Sequence, residues 1–168
     1  AYPSLESLRE KSSPWEYSLN GEWKFRYCRD METEAEKMAA PTYDDRDWDA
    51  IAVPSCWQDR RYGVETPLYV NVKTPFYKKK SDICPPHVPD EANSMGIYRR
   101  TFLLPPSFCG RHTILSMAGV ESAVNIWING YFVGFSQGSF SPVEWDITEY
   151  LEEKGQNTIC CQVYRYSG

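Results

Sequence analysis

The stretch Ala123-Val124-Asn125-Ile126-Trp127-Ile128-Asn129-Gly130-Tyr131-Phe132-Val133-Gly134-Phe135-Ser136 decides the fold class. Val124, Ile126 and Ile128 alternate with Ala123, Asn125 and Trp127, a period of two that sends successive side chains to opposite faces of a strand. Asn129-Gly130 interrupts, and Tyr131, Val133 and Phe135 resume the alternation. Asn and Gly both tolerate positive φ, as the central positions of a two-residue type I′ turn demand, so the stretch predicts a β-hairpin. Upstream, Trp23, Phe25 and Tyr27 alternate with Glu22, Lys24 and Arg26 directly after Asn20-Gly21, which predicts a half-buried strand. Further strands are predicted around Ile51–Val53, Tyr98–Leu103, Thr113–Met117 and Thr158–Tyr164, each rich in β-branched or aromatic residues and bounded by Pro, Gly or Asn. Their spacing suits an all-β antiparallel β-sandwich. Two short helices are predicted. One covers Glu32–Met38, with acids early and Lys37 late; the other covers Glu149–Glu153, with Asp146 or Thr148 near its N-cap and Gly155 beyond its end.

The chain has 168 residues, 42% hydrophobic and 15% aromatic, enough to fill one core and to predict one domain. Its formal charge of -5 argues against a nucleic-acid partner, because a net-acidic surface releases no counterions from a phosphate backbone. The run Lys78-Lys79-Lys80 reads as a solvated loop face. No stretch approaches the roughly 18 apolar residues of a membrane span, so no membrane partner is expected. Ala1-Tyr2-Pro3-Ser4 has neither an initiator Met nor a signal-peptide pattern, so it reads as a cut boundary and the compartment, cytoplasmic or periplasmic, is not legible.

The six cysteines (Cys28, Cys56, Cys84, Cys109, Cys160, Cys161) contain no Cys-x-x-Cys pair, so a structural zinc site is not expected and free thiols are favoured over bridges. Cys160 and Cys161 are neighbours on a strand; one is expected in the core and the other facing outward. His87 and His112 are too isolated to suggest a triad or a metal site. The least regular region runs from Trp57 to Gly96 and carries Pro67, Pro75, Pro85, Pro86 and Pro89; a loop of that length is where function is sought. Glycoside chemistry would need two carboxyl groups about 5–5.5 Å apart in a retaining enzyme. The tempting pairs, Asp44-Asp45, Asp90-Glu91 and Glu152-Glu153, read as solvated loop or helix charges.

Several ordered segments carry a resemblance: Leu19-Asn20-Gly21-Glu22-Trp23-Lys24-Phe25, Val53-Pro54-Ser55-Cys56-Trp57-Gln58, and Pro67-Leu68-Tyr69-Val70-Asn71-Val72-Lys73-Thr74-Pro75-Phe76. Met95-Gly96-Ile97-Tyr98-Arg99-Arg100-Thr101-Phe102, Gly119-Val120-Glu121-Ser122-Ala123, Trp127-Ile128-Asn129-Gly130, Val133-Gly134-Phe135-Ser136 and Glu144-Trp145-Asp146-Ile147-Thr148 continue it. Together they resemble the N-terminal domain of family 2 glycoside hydrolases of the β-galactosidase type, from Leu19 onward. The resemblance implies a lead-in over residues 1–18 and a jelly-roll sugar-binding domain over 19–168, packed beside a catalytic (β/α)₈ barrel that a chain of this length cannot contain.

The same resemblance implies no catalytic residue here. It places Asn71 where the family presents an asparagine into the barrel's sugar subsite, where an amide can both donate to and accept from sugar hydroxyls. A turn-stabilising role is the alternative for Asn71, and Val72 either lines the same wall or simply packs. No metal site is assigned. The resemblance implies magnesium and sodium bound elsewhere in the parent enzyme, since the acidic sodium contact follows the stretch matching Tyr164-Arg165-Tyr166-Ser167 and the chain stops at Gly168. A missing following strand would leave an unpaired, association-prone edge. The parent is implied to be a homo-oligomer acting on terminal β-galactosides.

Two other readings stay open. One is the equivalent domain of a β-glucuronidase or β-mannosidase, relatives that generally lack the Asn-Val-x-x-Pro-Phe segment. The other is an autonomous carbohydrate-binding module stacking sugars on Trp57, Tyr62, Tyr69 or Tyr77, since jelly rolls host many functions.

Overall fold

The computed structural model describes residues 2–29, 34–59, 88 and 93–167. Eight strands appear among them: β1 (Gly21–Cys28), β2 (Asp49–Val53), β3 (Met95–Leu103), β4 (Ile114–Met117), β5 (Ala123–Ile128), β6 (Tyr131–Ser136), β7 (Val143–Asp146) and β8 (Gln156–Tyr164). Two short helices, α1 (Leu5–Glu10) and α2 (Ala35–Ala39), lie outside the sheets. Six strands form an antiparallel sheet in the order β2-β1-β3-β8-β5-β6, and β4 pairs with β7 in a second sheet. This is the all-β antiparallel sandwich that the alternation implied, of the jelly-roll class that the resemblance implied.

The main core fills the space between the sheets. Trp23, Phe25, Ile51, Tyr98, Phe102, Val124, Ile126, Ile128, Ile159, Cys161 and Val163 project from the large sheet to meet Leu115 and Ile147. The other face of the large sheet is also covered. Ala35 and Ala39 of α2, with Trp48, pack over Met95, Ile97, Trp127 and Cys160. Cover on both faces explains why β8 is buried without a break from Asn157 to Val163, and it corrects the expectation for the cysteine pair: both Cys160 and Cys161 are buried, on opposite faces. Trp127 and Trp23 are likewise both buried, but in different cores.

Arg99 ties α2 to this second face. It is 2% exposed; its Nε donates to Asp45 Oδ2 at 2.9 Å, and Nη1 donates to the carbonyls of Met38 and Ala40, the latter at 3.2 Å. A guanidinium placed on carbonyls at a helix C-terminus satisfies acceptors that have no intrahelical partner. Tyr43 lies beside it, with its ring 5.7 Å from the Arg99 Cζ.

The hairpin forms as its turn chemistry requires, with Asn129 at φ 52° and Gly130 at φ 85°. The Asn129 side chain does more than tolerate the turn. Its Nδ2 donates to Tyr150 O and to Asn157 Oδ1, both at 2.8 Å, and its Oδ1 accepts from the Thr158 N–H at 2.8 Å. Asn157, fully buried, in turn accepts from the Glu152 N–H at 2.8 Å and donates to Glu152 O at 2.9 Å. Those bonds divert the chain after Tyr150. The predicted helix over Glu149–Glu153 is therefore replaced by a 3-10 turn over Thr148–Tyr150. The other predicted helix begins late, at Ala35, residues 30–33 lying outside the described set.

Two elements had no counterpart in the expectations. Strand β7 is only four residues long, and α1, in the lead-in, buries nothing and is held by a reciprocal Ser4–Ser7 capping box.

Candidate functional site

Asn71 and Val72, the residues assigned to sugar contact, lie outside the described residues, as do Lys78-Lys79-Lys80, Cys84, His87, Asp90, Glu91 and the aromatic candidates Tyr62, Tyr69 and Tyr77. What the structure places is the pair of anchors from which that segment departs and to which it returns.

On the departing side, Trp57 is buried in the main core. Its ring lies 6.3 Å from that of Phe25 and 6.4 Å from that of Tyr98. Gly96 makes this possible, because a Cβ there would sit 2.7 Å from Phe25 Cε2 and 3.1 Å from Trp57 Cε3. Burial corrects the idea of Trp57 as a stacking platform: a ring 3% exposed cannot receive a sugar. Gln58 is buried next to it, and the Asp59 N–H donates to Cys56 O at 3.0 Å, closing a turn.

On the returning side, Asn93 is buried and clamps Tyr166, donating from Nδ2 to Tyr166 O and accepting from the Tyr166 N–H, both at 3.0 Å. The Arg165 N–H donates to Ser94 O at 3.0 Å, extending the β3–β8 pairing by one step. Ser122 joins the same end, its N–H donating to Tyr164 O at 2.9 Å. Both anchors of the 60–92 segment and residues 164–166 thus meet at one end of the sandwich. An apolar cleft between the sheets, lined by Trp57, Tyr98, Met117, Val120, Val163 and Arg165 among others, runs to this end. The irregular region is also narrower than Trp57–Gly96, since Trp57 belongs to the core and Met95-Gly96 to β3.

Several of the described acids carry structural roles. Asp44 takes Arg46 on both carboxylate oxygens, at 2.8 and 2.6 Å, and these hydrogen bonds hold its pKa down at about 2. Asp45 pairs with Arg99. Asp146 accepts from the Thr148 hydroxyl and N–H and faces His112 Nδ1 at 3.2 Å; the Thr148 bonds chiefly lower its pKa. Glu153 accepts from the Gly110 N–H at 2.7 Å. Among the described residues, no group of three or more His, Cys, Asp or Glu side chains is placed to hold a metal ion, and no helix is long and apolar enough to cross a membrane. Cys28, Cys56, Cys109, Cys160 and Cys161 are free thiols. Burial pushes the Cys160 thiol up to about 12 and raises that of Cys161 as well.

Known proteins match this architecture over nearly all of its length. The chain is 42% identical over 157 residues to a β-galactosidase of Priestia megaterium, 94% of this chain but 15% of that protein. It is 36% identical over 162 residues to a β-galactosidase of Halalkalibacterium halodurans, 96% of this chain and 16% of the relative. The chain therefore spans about one-sixth of the length of these curated relatives. Among solved structures, Bifidobacterium dentium β-glucuronidase superposes with a TM-score of 0.62 at 23% identity, covering 89% of this chain and 20% of that one. Lactobacillus rhamnosus β-glucuronidase superposes with a TM-score of 0.61 at 20% identity, covering 88% and 20%. Both support the sandwich fold. The family model described as "Glycosyl hydrolases family 2, sugar binding domain" matches residues 17–168, taking in every strand of both sheets, and this chain belongs to that family.

Proposed function

We infer that the chain serves as the N-terminal sugar-binding domain of a β-galactosidase, where it seats the catalytic barrel and completes the galactoside site without supplying the hydrolytic carboxylates. The observation that carries this reading is the identity of 42% along 94% of the chain with a β-galactosidase more than six times its length. In this role Asn71 reaches the sugar hydroxyls from the 60–92 segment and Val72 lines the wall beside it. The clamps at Trp57 and Asn93 favour such a use, because a precise contact across a domain boundary needs rigid supports at both ends of the segment that makes it. The parent enzyme binds magnesium and sodium through residues outside this chain and acts as a homo-oligomer.

A second reading, the equivalent domain of a β-glucuronidase, draws support from the solved structures, yet their identities of 20% and 23% fall well below those of the galactosidases. The autonomous module has lost Trp57 as a platform and keeps only residues outside the described set.

The test is kinetic and uses the parent enzyme. Asn71→Ala should lower kcat/KM for a β-galactoside about tenfold to a hundredfold, since a lost hydrogen bond that strands a buried hydroxyl costs about 1–3 kcal/mol. The melting point of the 168-residue chain should move little on the same change. Unaltered catalysis with a lowered melting point would make Asn71 a turn residue. Titration of the chain with galactosides separates the third reading, which requires binding in the absence of the barrel.

A further inference from the structure

From Ser122 to Val143 the sequence contains no Asp, Glu, Lys or Arg, although 24% of the chain is charged. This run builds the β5–β6 hairpin, and β6 is an edge strand of the six-stranded sheet. Its inner-facing side meets Tyr150 and Trp145: the rings of Tyr131 and Tyr150 are 6.2 Å apart, and Trp145 crosses Gly134 so closely that a Cβ there would lie 2.4 Å from the indole nitrogen if nothing moved. On its outer side, among the described residues, Phe132 meets the Trp127 ring at 5.5 Å and is otherwise largely open. A register shift at Ile126/Trp127 sets Phe132 opposite Trp127 and Phe135 opposite Asn125, so both rings stand on the outer face of the sheet. They remain 54% and 51% exposed, and Phe140, just beyond, is 89% exposed.

Natural sheets guard their edges with charges, prolines or coverings, because open backbone donors and acceptors recruit other strands. The opposite edge obeys this rule: β2 opens with Asp49 and is followed directly by Pro54. Strand β6, Tyr-Phe-Val-Gly-Phe-Ser, carries neither device. An unguarded apolar edge of this kind marks a surface that is covered in the working molecule.

We propose that the β6 edge, with Phe132, Phe135 and Phe140, is the face on which the remaining polypeptide of the parent enzyme is seated, through an uncharged apolar surface of its own. The proposal rests on the reading of this chain as one domain of a longer enzyme. Area separates that occupant from a second copy of the chain. A fully buried aromatic ring removes about 150–250 Å² from water, so these three partly exposed rings offer roughly 300–500 Å². A stable association between free partners needs about 800 Å² on each side. A covalently tethered neighbour needs far less, because linkage supplies an effective concentration on the order of millimolar. The relatives supply such a neighbour, since this chain accounts for only 15–16% of their length.

Hydroxyl-radical footprinting read by mass spectrometry, on the 168-residue chain and on the full-length parent, tests the assignment without mutation. Phe132, Phe135 and Phe140 should label readily in the chain alone and fall in the parent to the level of a core ring such as Phe25, with the shielding kept when the parent is diluted to monomers. Equal labelling in both proteins would overturn the proposal. So would shielding that vanishes on dilution of the parent, or that arises in the chain alone together with a dimer in sedimentation, since each assigns the face to a second copy. Phe135→Lys supplies an independent reading: the chain alone should melt as wild type, whereas the parent should release its N-terminal domain to protease sooner, and unchanged release overturns the assignment. Failure here is distinct from failure of the functional reading. A parent that shields these rings yet hydrolyses a different glycoside sinks only the substrate, and one that cleaves β-galactosides with the rings labelled sinks only the docking face.

Discussion

Gly96 and Trp57 show how a single missing methyl group supports the base of a long segment. The Phe25 ring, with the Trp57 indole just behind it, occupies the space above β3 that a Cβ at position 96 would need, so Gly96→Ala should overpack the core and cost about 1–3 kcal/mol, visible as a lowered melting point. Arg99 works from the other face. Removing it strands Asp45 and the carbonyls of Met38 and Ala40, and Arg99→Ala should cost about 3–5 kcal/mol, as for other broken buried pairs. Arg99→Lys should recover only part of this, because one ammonium cannot reproduce the forked geometry; full recovery in thermal melts would show that charge alone is needed. The buried thiols make stability depend on pH. Their pKa values are raised above that of an unfolded cysteine, about 8.5, so the unfolded chain ionises first and stability is lost as the pH climbs from there toward about 12. Replacing both Cys160 and Cys161 by Ala should flatten the alkaline limb of a denaturation-against-pH curve, and an unchanged slope would place the effect elsewhere.

Elements in this sandwich are held in pairs by residues that belong to neither. The β5–β6 turn is fastened to β8 and to the Tyr150 carbonyl by Asn129, so Asn129→Ala removes a residue suited to positive φ and leaves the Thr158 N–H and the Asn157 carboxamide short of partners. A loss of about 1–3 kcal/mol is expected for the stranded groups. Asn129→Gly, which keeps the backbone freedom and loses only the bonds, should do less harm; equal losses would make the turn conformation irrelevant. Trp23 and Trp127 are both large buried rings, and the two faces of the sheet separate their effects. Either change to Ala should cost about 3–5 kcal/mol. Trp127→Ala alone should loosen α2, detectable as faster amide exchange over Ala35–Ala39, because Trp127 lies beneath that helix while Trp23 lies between the sheets.

At the scale of the whole molecule, the chain brings the flanks of its least regular segment and its last described residues to one end, leaving an uncharged edge at β6. The 168-residue chain by itself is expected to release no nitrophenol from a nitrophenyl β-galactoside, since a retaining mechanism needs two carboxyl groups about 5–5.5 Å apart and the family resemblance implies that both lie in a barrel outside these residues. Turnover by a rigorously purified preparation would reverse that expectation. What the sequence alone determined is whatever depends on near neighbours. Alternation, turn residues and capping chemistry act over a few positions, so the β5–β6 hairpin, β1 and the sandwich class were legible, and the ordered segments identified the family. What only the tertiary structure decided depends on coverage from afar. Nothing within β8 or β5 tells that Cys160 and Trp127 lie under a five-residue helix, that Arg99 bridges to it, or that Trp57 is core rather than platform. Nor does the local pattern Thr148–Glu153 reveal that Asn157 takes up the Glu152 N–H and carbonyl and ends the helix after one turn. Burial is a property of what packs on a residue, and its partners here stand tens of positions away in the chain.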